Sequence, residues 1–499
     1  MQGGRSDNSV LGRWGGSFRQ DAALAEGEES SGWESEVEVT QSISIGRRLD
    51  AGLHALRTAF ALALSLPIAW LCLHPSIASF RERKFRVVET GTQTVVSIQR
   101  RLRCRALDMY FQVFSFCAEE EFYLLALPCI IWNIDRVLGR RLTLVICVGL
   151  IMGNLAKDVF QLPRPASPPV WRPAIQEAVD STNLADFGFP STHSMNSVSN
   201  SVFIFLYATC DPDAWDGAAA LKLVTDPENR LWIALCLVYI VSLSLSRLYL
   251  GAHTPTDLRG GLALGAIWIA CFFPVSAQFD RYYLSTSWLS LKLLFAAIIL
   301  LLLNPQPRPP TPTFLQNALL TGLVCGCILG SRHFEDIGDV HMDEFGNIVA
   351  LRDARLLAQA PTWLPSAAHQ VQVSAQAWPR LALVLRTILG YIIVILLRVI
   401  AKTLAIAALS LLGISIKPKV EEIKPEGRSS KSGKGKRKTP RRSSKRVVRL
   451  LTRDVDILGN AIVKVTVYAT LAWGITCFVP IIYSCIGLGS SSTLSQPSS

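Results

Sequence analysis

Seven residues in three short polar stretches have the types and spacing that phosphate chemistry needs. KDVFQLPRP (157–165) carries Lys157 and Arg164, GFPSTHSMN (188–196) carries Ser191 and His193, and SRLYLGAHTPTD (246–257) carries Arg247, His253 and Asp257. Three fixed cations brought together repel one another unless an anion lies between them. A tetrahedral oxyanion suits such a cluster, because guanidinium forks bind its oxygens bidentately and an ammonium adds a point charge. Ser191 follows Pro190 where a helical pattern begins, so outward-pointing backbone N–H groups and the helix dipole also favour an anion. His253 and Asp257 are four apart, a spacing at which a carboxylate fixes an imidazole's tautomer and leaves the other ring nitrogen nucleophilic or basic. His193 is then available to protonate a leaving oxygen.

Each residue also has an ordinary structural reading. Thr254-Pro255-Thr256-Asp257 reads as a helix start, with Thr254 as N-cap, Pro255 at the first helical position and Asp257 closing a capping box. Ser191 reads as an N-cap. Lys157 and Arg247 read as anchors at the ends of spans, and Arg164 as a loop residue. What sets the chemical reading above these is joint occurrence: two of only seven histidines fall in these stretches, each beside residues suited to phosphate.

The elements that must position these residues are membrane helices. The chain has 499 residues, 50% hydrophobic and only 18% charged, with a mean hydropathy of +0.33. That balance excludes an ordinary soluble enzyme and predicts an all-α polytopic membrane protein. Apolar windows fall near 58–73, 122–134, 142–156, 196–209, 231–246, 260–278, 287–303, 314–330, 381–401 and 461–487, which predicts about eight to ten spans. Because spans alternate direction, the exit of 142–156, the entry of 196–209 and the turn between 231–246 and 260–278 share one membrane face. Topology therefore allows the three stretches to converge.

The remaining segments are predicted to serve other ends. Residues 1–50 form a disordered tail, 51–107 a possible first span and a basic interfacial segment, 108–280 the catalytic membrane core, and 281–416 further spans with a polar loop near 331–380. Residues 417–450 form a basic disordered loop and 451–499 a last span and tail. The segment 81–105 holds eight basic side chains, suited to lie against lipid headgroups. Much of the net charge of +12 comes from the Ser/Gly/Lys/Arg run at 417–449, which has too little apolar surface to order itself. On a chain built for lipid it reads as a membrane-adjacent segment rather than a nucleic-acid site. The twelve cysteines do not pair by spacing and fall mostly in apolar windows, as small hydrophobes.

Lys157, six residues, then Arg164-Pro165; Pro190-Ser191-Thr192-His193; and Ser246-Arg247, five residues, His253, three more and Asp257 together resemble the three-part signature of the type 2 phosphatidic acid phosphatase superfamily. The flanks FGFPSTHSMN and SRLYLGAHTPTD are most similar to its sphingosine-1-phosphate (long-chain-base-1-phosphate) phosphatases, with Ala252 standing where those have methionine. The resemblance implies a helical bundle with its site at the lumenal edge of the endoplasmic reticulum membrane. It also implies that Lys157, Arg164 and Arg247 hold phosphate oxygens with help from Ser191. His253 would attack phosphorus to give a phosphohistidine, Asp257 would orient it, and His193 would protonate the departing alcohol. The implied partners are a lipid phosphate and the surrounding membrane lipids, with no cofactor and no metal. In agreement, the stretches offer no carboxylate cluster of the kind magnesium prefers. Three arginines in DRVLGRR (135–141) favour a cytosolic loop opposite the three stretches. Three other readings fit parts of the pattern: a phosphatase of the same superfamily acting on another lipid or isoprenoid (di)phosphate, a phosphotransferase of that superfamily, in which an alcohol replaces water, and an anion transporter.

Overall fold

A computed structural model describes residues 75–173, 187–214, 222–304, 311–337, 341–342, 348–350, 378–411, 443–486 and 488. The expected tail 1–50, the window 58–73 and the basic run 417–442 lie outside the described residues. In chain order the helices are α1 (Pro75–Leu102), α2 (Arg105–Phe116), α3 (Glu120–Asn133), α4 (Arg136–Phe160), α5 (Thr192–Thr209), α6 (Arg230–Tyr249) and α7 (Pro255–Phe272). They continue with α8 (Ser276–Ser285), α9 (Leu289–Leu303), α10 (Thr313–Ile337), α11 (Pro379–Leu411), α12 (Ser443–Trp473) and α13 (Val479–Cys485). One short antiparallel pairing, His341–Met342 with Ile348–Ala350, is the only sheet among the described residues.

Six stretches are long and apolar enough to cross a membrane: Arg136–Phe160, Pro227–Tyr249, Pro255–Ser285, Thr313–Asp336, Pro379–Leu411 and Leu458–Cys485. The chain is a multi-pass membrane protein of almost wholly helical build. Of the other expected spans, 122–134 is the 14-residue α3, 196–209 lies in the 18-residue α5 and 287–303 is the 15-residue α9. Apolar side chains cover the outer faces of the long helices, for example Leu231, Trp232 and Leu235 on α6 and Ile388, Ile392 and Ile395 on α11. That is the inverse of a soluble surface and suits contact with lipid. Residues 331–337 of the expected polar loop continue α10, and residues 443–450 of the expected disordered loop are the first turns of α12. There the sequence regains apolar residues, Val447, Val448 and Leu450, after the cations.

The site-bearing part is built around α4. Asp135 caps its start, accepting from the Leu138 amide at 2.8 Å, and also accepts the Tyr207 hydroxyl of α5 at 3.0 Å. The helix stops at Gln161, which turns left-handed at φ 51. Leu144, Val145 and Ile146 of α4 share one apolar cluster with Phe203 of α5, Leu243 of α6, and Ile269 and Phe272 of α7. A second cluster joins Trp132 of α3 to Val394 of α11 and to Val467 and Leu471 of α12. Near the start of α4, Arg140 and Arg141 both reach Asp280 of α8, at 2.9 and 2.7 Å. Near its end, Asp158 is fully buried and accepts hydroxyls from Thr311 and Thr313, at 3.1 and 2.6 Å. One turn earlier, Asn154 donates to Asn317 of α10 at 2.9 Å.

The basic segment at 81–105 is mostly α1. Arg81 donates to the last carbonyls of α4, Phe160 O at 3.1 Å and Val159 O at 2.8 Å, where the helix dipole favours a cation. Gln99, eighteen residues on, bonds Trp171 O and Tyr249 O, both at 2.8 Å. Between them, Gly91 comes so close to Thr254 that a Cβ there would lie 2.9 Å from the threonine Cβ. The end of α4, the start of α7 and the end of α6 lie at one end of the bundle, so α1 runs across that end.

Candidate phosphate site

The three polar stretches are joined by the backbone before any side chain acts. Beyond α4, Pro163 pairs with Phe187 as a single β-bridge, and the Gly188 amide donates to Leu162 O at 2.8 Å. The Ser191 amide donates to Asp257 O at 3.0 Å, linking the second stretch to the third. Arg164 Nη1 donates to Ala252 O at 3.1 Å, and Arg172 ties Gly251 O and Pro165 O, at 3.1 and 2.5 Å, linking the first to the third. Gly261 and Gly265 of α7 let α5 approach. A Cβ on them would fall 2.2 Å from Ser191 O and 2.5 Å from Met195 O, so no other residue fits without displacing the backbone.

All seven residues predicted from the sequence lie at this end. Lys157 is in the last turn of α4, Arg164 in the loop after it, Ser191 at the N-cap of α5 and His193 in its first turn. Arg247 is in the last turn of α6, His253 in the turn before α7, and Asp257 in the first turn of α7. Lys157, Ser191, Arg247, His253 and Asp257 are buried. Burial of Lys157 and Arg247 does not suit the reading of both as surface anchors.

Asp257 and Ser191 carry their structural readings in full. Asp257 Oδ2 accepts from the Thr254 amide at 2.8 Å and the Thr254 hydroxyl accepts from the Asp257 amide at 3.4 Å, completing the capping box. Ser191 Oγ accepts from the Ser194 amide at 3.4 Å. The chemical arrangement is superimposed on this scaffold. His253 Nδ1 lies 3.6 Å from Asp257 Oδ2, longer than a hydrogen bond, and both His253 Nδ1 and Asp257 Oδ1 are buried without a hydrogen-bond partner. A small movement of the ring would pair them, and such contacts commonly tighten only around substrate.

His253 is held neutral. Burial, followed by the charges of Arg164, Arg247, Lys157 and His193, keeps its pKa well below the usual 6.5. A neutral imidazole beside fixed cations can offer its second nitrogen to an electrophile that those cations bind.

One residue of the site escaped the sequence reading. Glu119, between α2 and α3, places Oε1 3.2 Å from His193 Nε2 and 3.7 Å from Arg247 Nη1. Burial alone would raise its pKa. The hydrogen bond from His193 and the charges of His193, Arg247 and Arg164 overcome that and bring it down to about 2. In the sequence it begins the run Glu119-Glu120-Glu121 ahead of an apolar window, which reads as acidic residues favouring a helix N-terminus. The α2–α3 corner also supplies Ser115, whose Oγ accepts from Arg247 Nη1 at 2.6 Å. Among the described residues, no group of three or more His, Cys, Asp or Glu side chains could hold a metal ion.

Residues 139–281 match the model of the PAP2 superfamily. The PAP2 segment contains all seven predicted residues and begins twenty residues after Glu119. The chain is also 28% identical over 248 residues to "Lipid phosphate phosphatase delta" of Arabidopsis thaliana, covering 49% of this chain and 56% of the relative. It is 30% identical over 260 residues to "Probable sphingosine-1-phosphate phosphatase" of Dictyostelium discoideum, covering 51% and 60%. It is 33% identical over 174 residues to "Sphingosine-1-phosphate phosphatase 2" of Homo sapiens, covering 34% and 39%. The matches thus span less than two thirds of these relatives' lengths. No solved structure matches the chain.

Proposed function

We propose that the protein is a metal-independent lipid phosphate phosphatase. In this reading it hydrolyses sphingosine-1-phosphate or dihydrosphingosine-1-phosphate to the long-chain base and phosphate, at the lumenal face of the endoplasmic reticulum membrane. The observation that carries the proposal is the meeting, at one end of a membrane bundle, of a neutral buried imidazole, a second imidazole and three basic side chains from three separate stretches. The substrate class is supported by the names of the relatives and by the position of the site at the ends of spans, where a lipid phosphate can be met with its tail still in the bilayer.

Lys157, Arg164 and Arg247 bind the non-bridging oxygens and stabilise the charge that builds on them. The N-terminus of α5 behind Ser191 adds backbone donors. His253 Nε2 forms a bond to phosphorus as the bond from phosphorus to the alkyl oxygen breaks, and that oxygen takes a proton from His193. Asp257 accepts a hydrogen bond from the Nδ1–H of His253 and steadies the positive ring, which keeps that proton. Water then attacks phosphorus, His193 takes its proton, and the phosphorus–nitrogen bond breaks to release phosphate and neutral His253.

The test uses the purified full-length chain in detergent with excess EDTA, measuring phosphate release from dihydrosphingosine-1-phosphate. Labelled phosphate is trapped by rapid denaturation. The expected result is turnover in the presence of chelator and an acid-labile, base-stable label on His253. Full activity in His253→Ala, or loss of activity with EDTA, would falsify the proposal.

A further inference from the structure

Glu119 stands beside the groups that such a reaction would use on its leaving-group side. It touches His193, the proposed proton donor to the leaving oxygen, and lies within ion-pair distance of Arg247, a proposed phosphate ligand. As the N-cap residue of α3 it makes no side-chain capping bond; its carboxylate turns into the site instead. Its side chain is 43% exposed, against 1% for His253 and 0% for Asp257, so an arriving lipid can reach it. The cations around it keep it ionised.

A phosphate settling on Arg247 therefore meets a fixed negative charge at close range. Two anions in a partly buried site repel, and that repulsion disfavours binding unless a cation enters with the phosphate. A long-chain-base phosphate brings its own. Its ammonium sits on the carbon beside the one that carries the phosphate oxygen, next to the atom that His193 protonates. The two residues after Glu119, Glu120 and Glu121, line a cavity of about 320 Å³ walled by apolar side chains that include Leu127, Ile146, Leu150 and Leu323. It lies between α3, α4, α10, α11 and α12, and its volume is within the range usual for small-molecule pockets.

We propose that Glu119 is the specificity-determining residue of this site: its carboxylate receives the ammonium next to the phosphate of an amino-alcohol phosphate, and it disfavours phosphate esters that lack an amine. The repulsion contributes as much as the attraction, since specificity is a difference between two affinities. This inference rests on the phosphatase reading above.

The test compares kcat/KM of the full-length protein for dihydrosphingosine-1-phosphate and for octadecyl phosphate, which has the same chain length and no amine. Wild type is expected to favour the amine-bearing lipid by about tenfold or more, the scale of one charged contact. Glu119→Gln should bring the ratio close to one, with a lower KM for octadecyl phosphate, and Glu119→Asp should keep most of the preference. Because each ratio is taken within one preparation, loss of folded protein cancels. An unchanged ratio in Glu119→Gln overturns the inference. So does an equal fall for both lipids, which would make Glu119 a positioning residue for His193 alone. If wild type cleaves neither lipid, the phosphatase reading fails, and the inference with it.

Discussion

The two ends of α4 each carry a cluster of basic residues, and the clusters are built on opposite principles. At the start of the helix, Arg140 and Arg141 close on one carboxylate, Asp280, at 2.9 and 2.7 Å, and Asp280 is only 6% exposed. Arg136 and Arg140 also approach Glu335, at 3.5 and 3.8 Å. At the far end, roughly 26 Å along the axis for the seventeen residues from Arg140 to Lys157, three cations surround two imidazoles. Of the carboxylates there, Asp158 is buried beneath two threonine hydroxyls, Asp257 is held in a helix cap and Glu119 is 43% exposed. The first cluster is sealed at Asp280, a buried anion fixed by the fold, with Glu335 at its edge as exposed as Glu119. The second keeps an accessible carboxylate among its cations, so a soluble or lipid-borne anion can compete for them. Two arginines meeting one buried carboxylate mark the first cluster, and two imidazoles among cations mark the second.

The largest effect expected at either end is that of His253→Ala, which should lower turnover by about a thousandfold or more while leaving thermal unfolding unchanged. Asp280→Asn should do the reverse. Leaving two buried guanidiniums without their carboxylate should cost about 3–5 kcal/mol of stability, measured by denaturation in detergent, while turnover per folded molecule is kept. A catalytic loss in Asp280→Asn with no loss of stability would break the contrast.

The pH dependence sharpens it. In the proposed mechanism His253 acts in its neutral form, and its pKa lies below 6.5 because burial and the neighbouring cations oppose its protonation. The acid limb of kcat/KM, which reports the free enzyme, should therefore lie below pH 6.5. Arg164→Gln removes one of those cations, so the residual activity of that variant should show the limb moved to higher pH. The smallest effect is expected from Asp135→Ala at the sealed end, where loss of the α4 cap should cost about 1 kcal/mol of stability, with kcat/KM unchanged.

The helical membrane character of the chain was legible because it follows from hydropathy, which depends on local composition. The convergence of Lys157, Arg164, Ser191, His193, Arg247, His253 and Asp257 was legible because alternating spans restrict which loops can meet. Glu119 was not, since its role depends on a corner packing against Arg247 and His193, and a glutamate before an apolar run is ordinary helix chemistry. The Thr254–Asp257 box shows a different limit: both readings of Asp257 describe the same carboxylate, because the cap that starts α7 also brings it beside His253.

Asp158 follows Lys157 directly in the chain, and the hydroxyls that satisfy it come from Thr311 and Thr313, about thirty residues beyond the last residue of the PAP2 segment. A fragment cut after residue 281 would retain all seven predicted residues and leave that buried acid bare in the turn that aims the lysine. The helices that follow the segment matched by the family model are thus part of its wall, and that segment is not a detachable module.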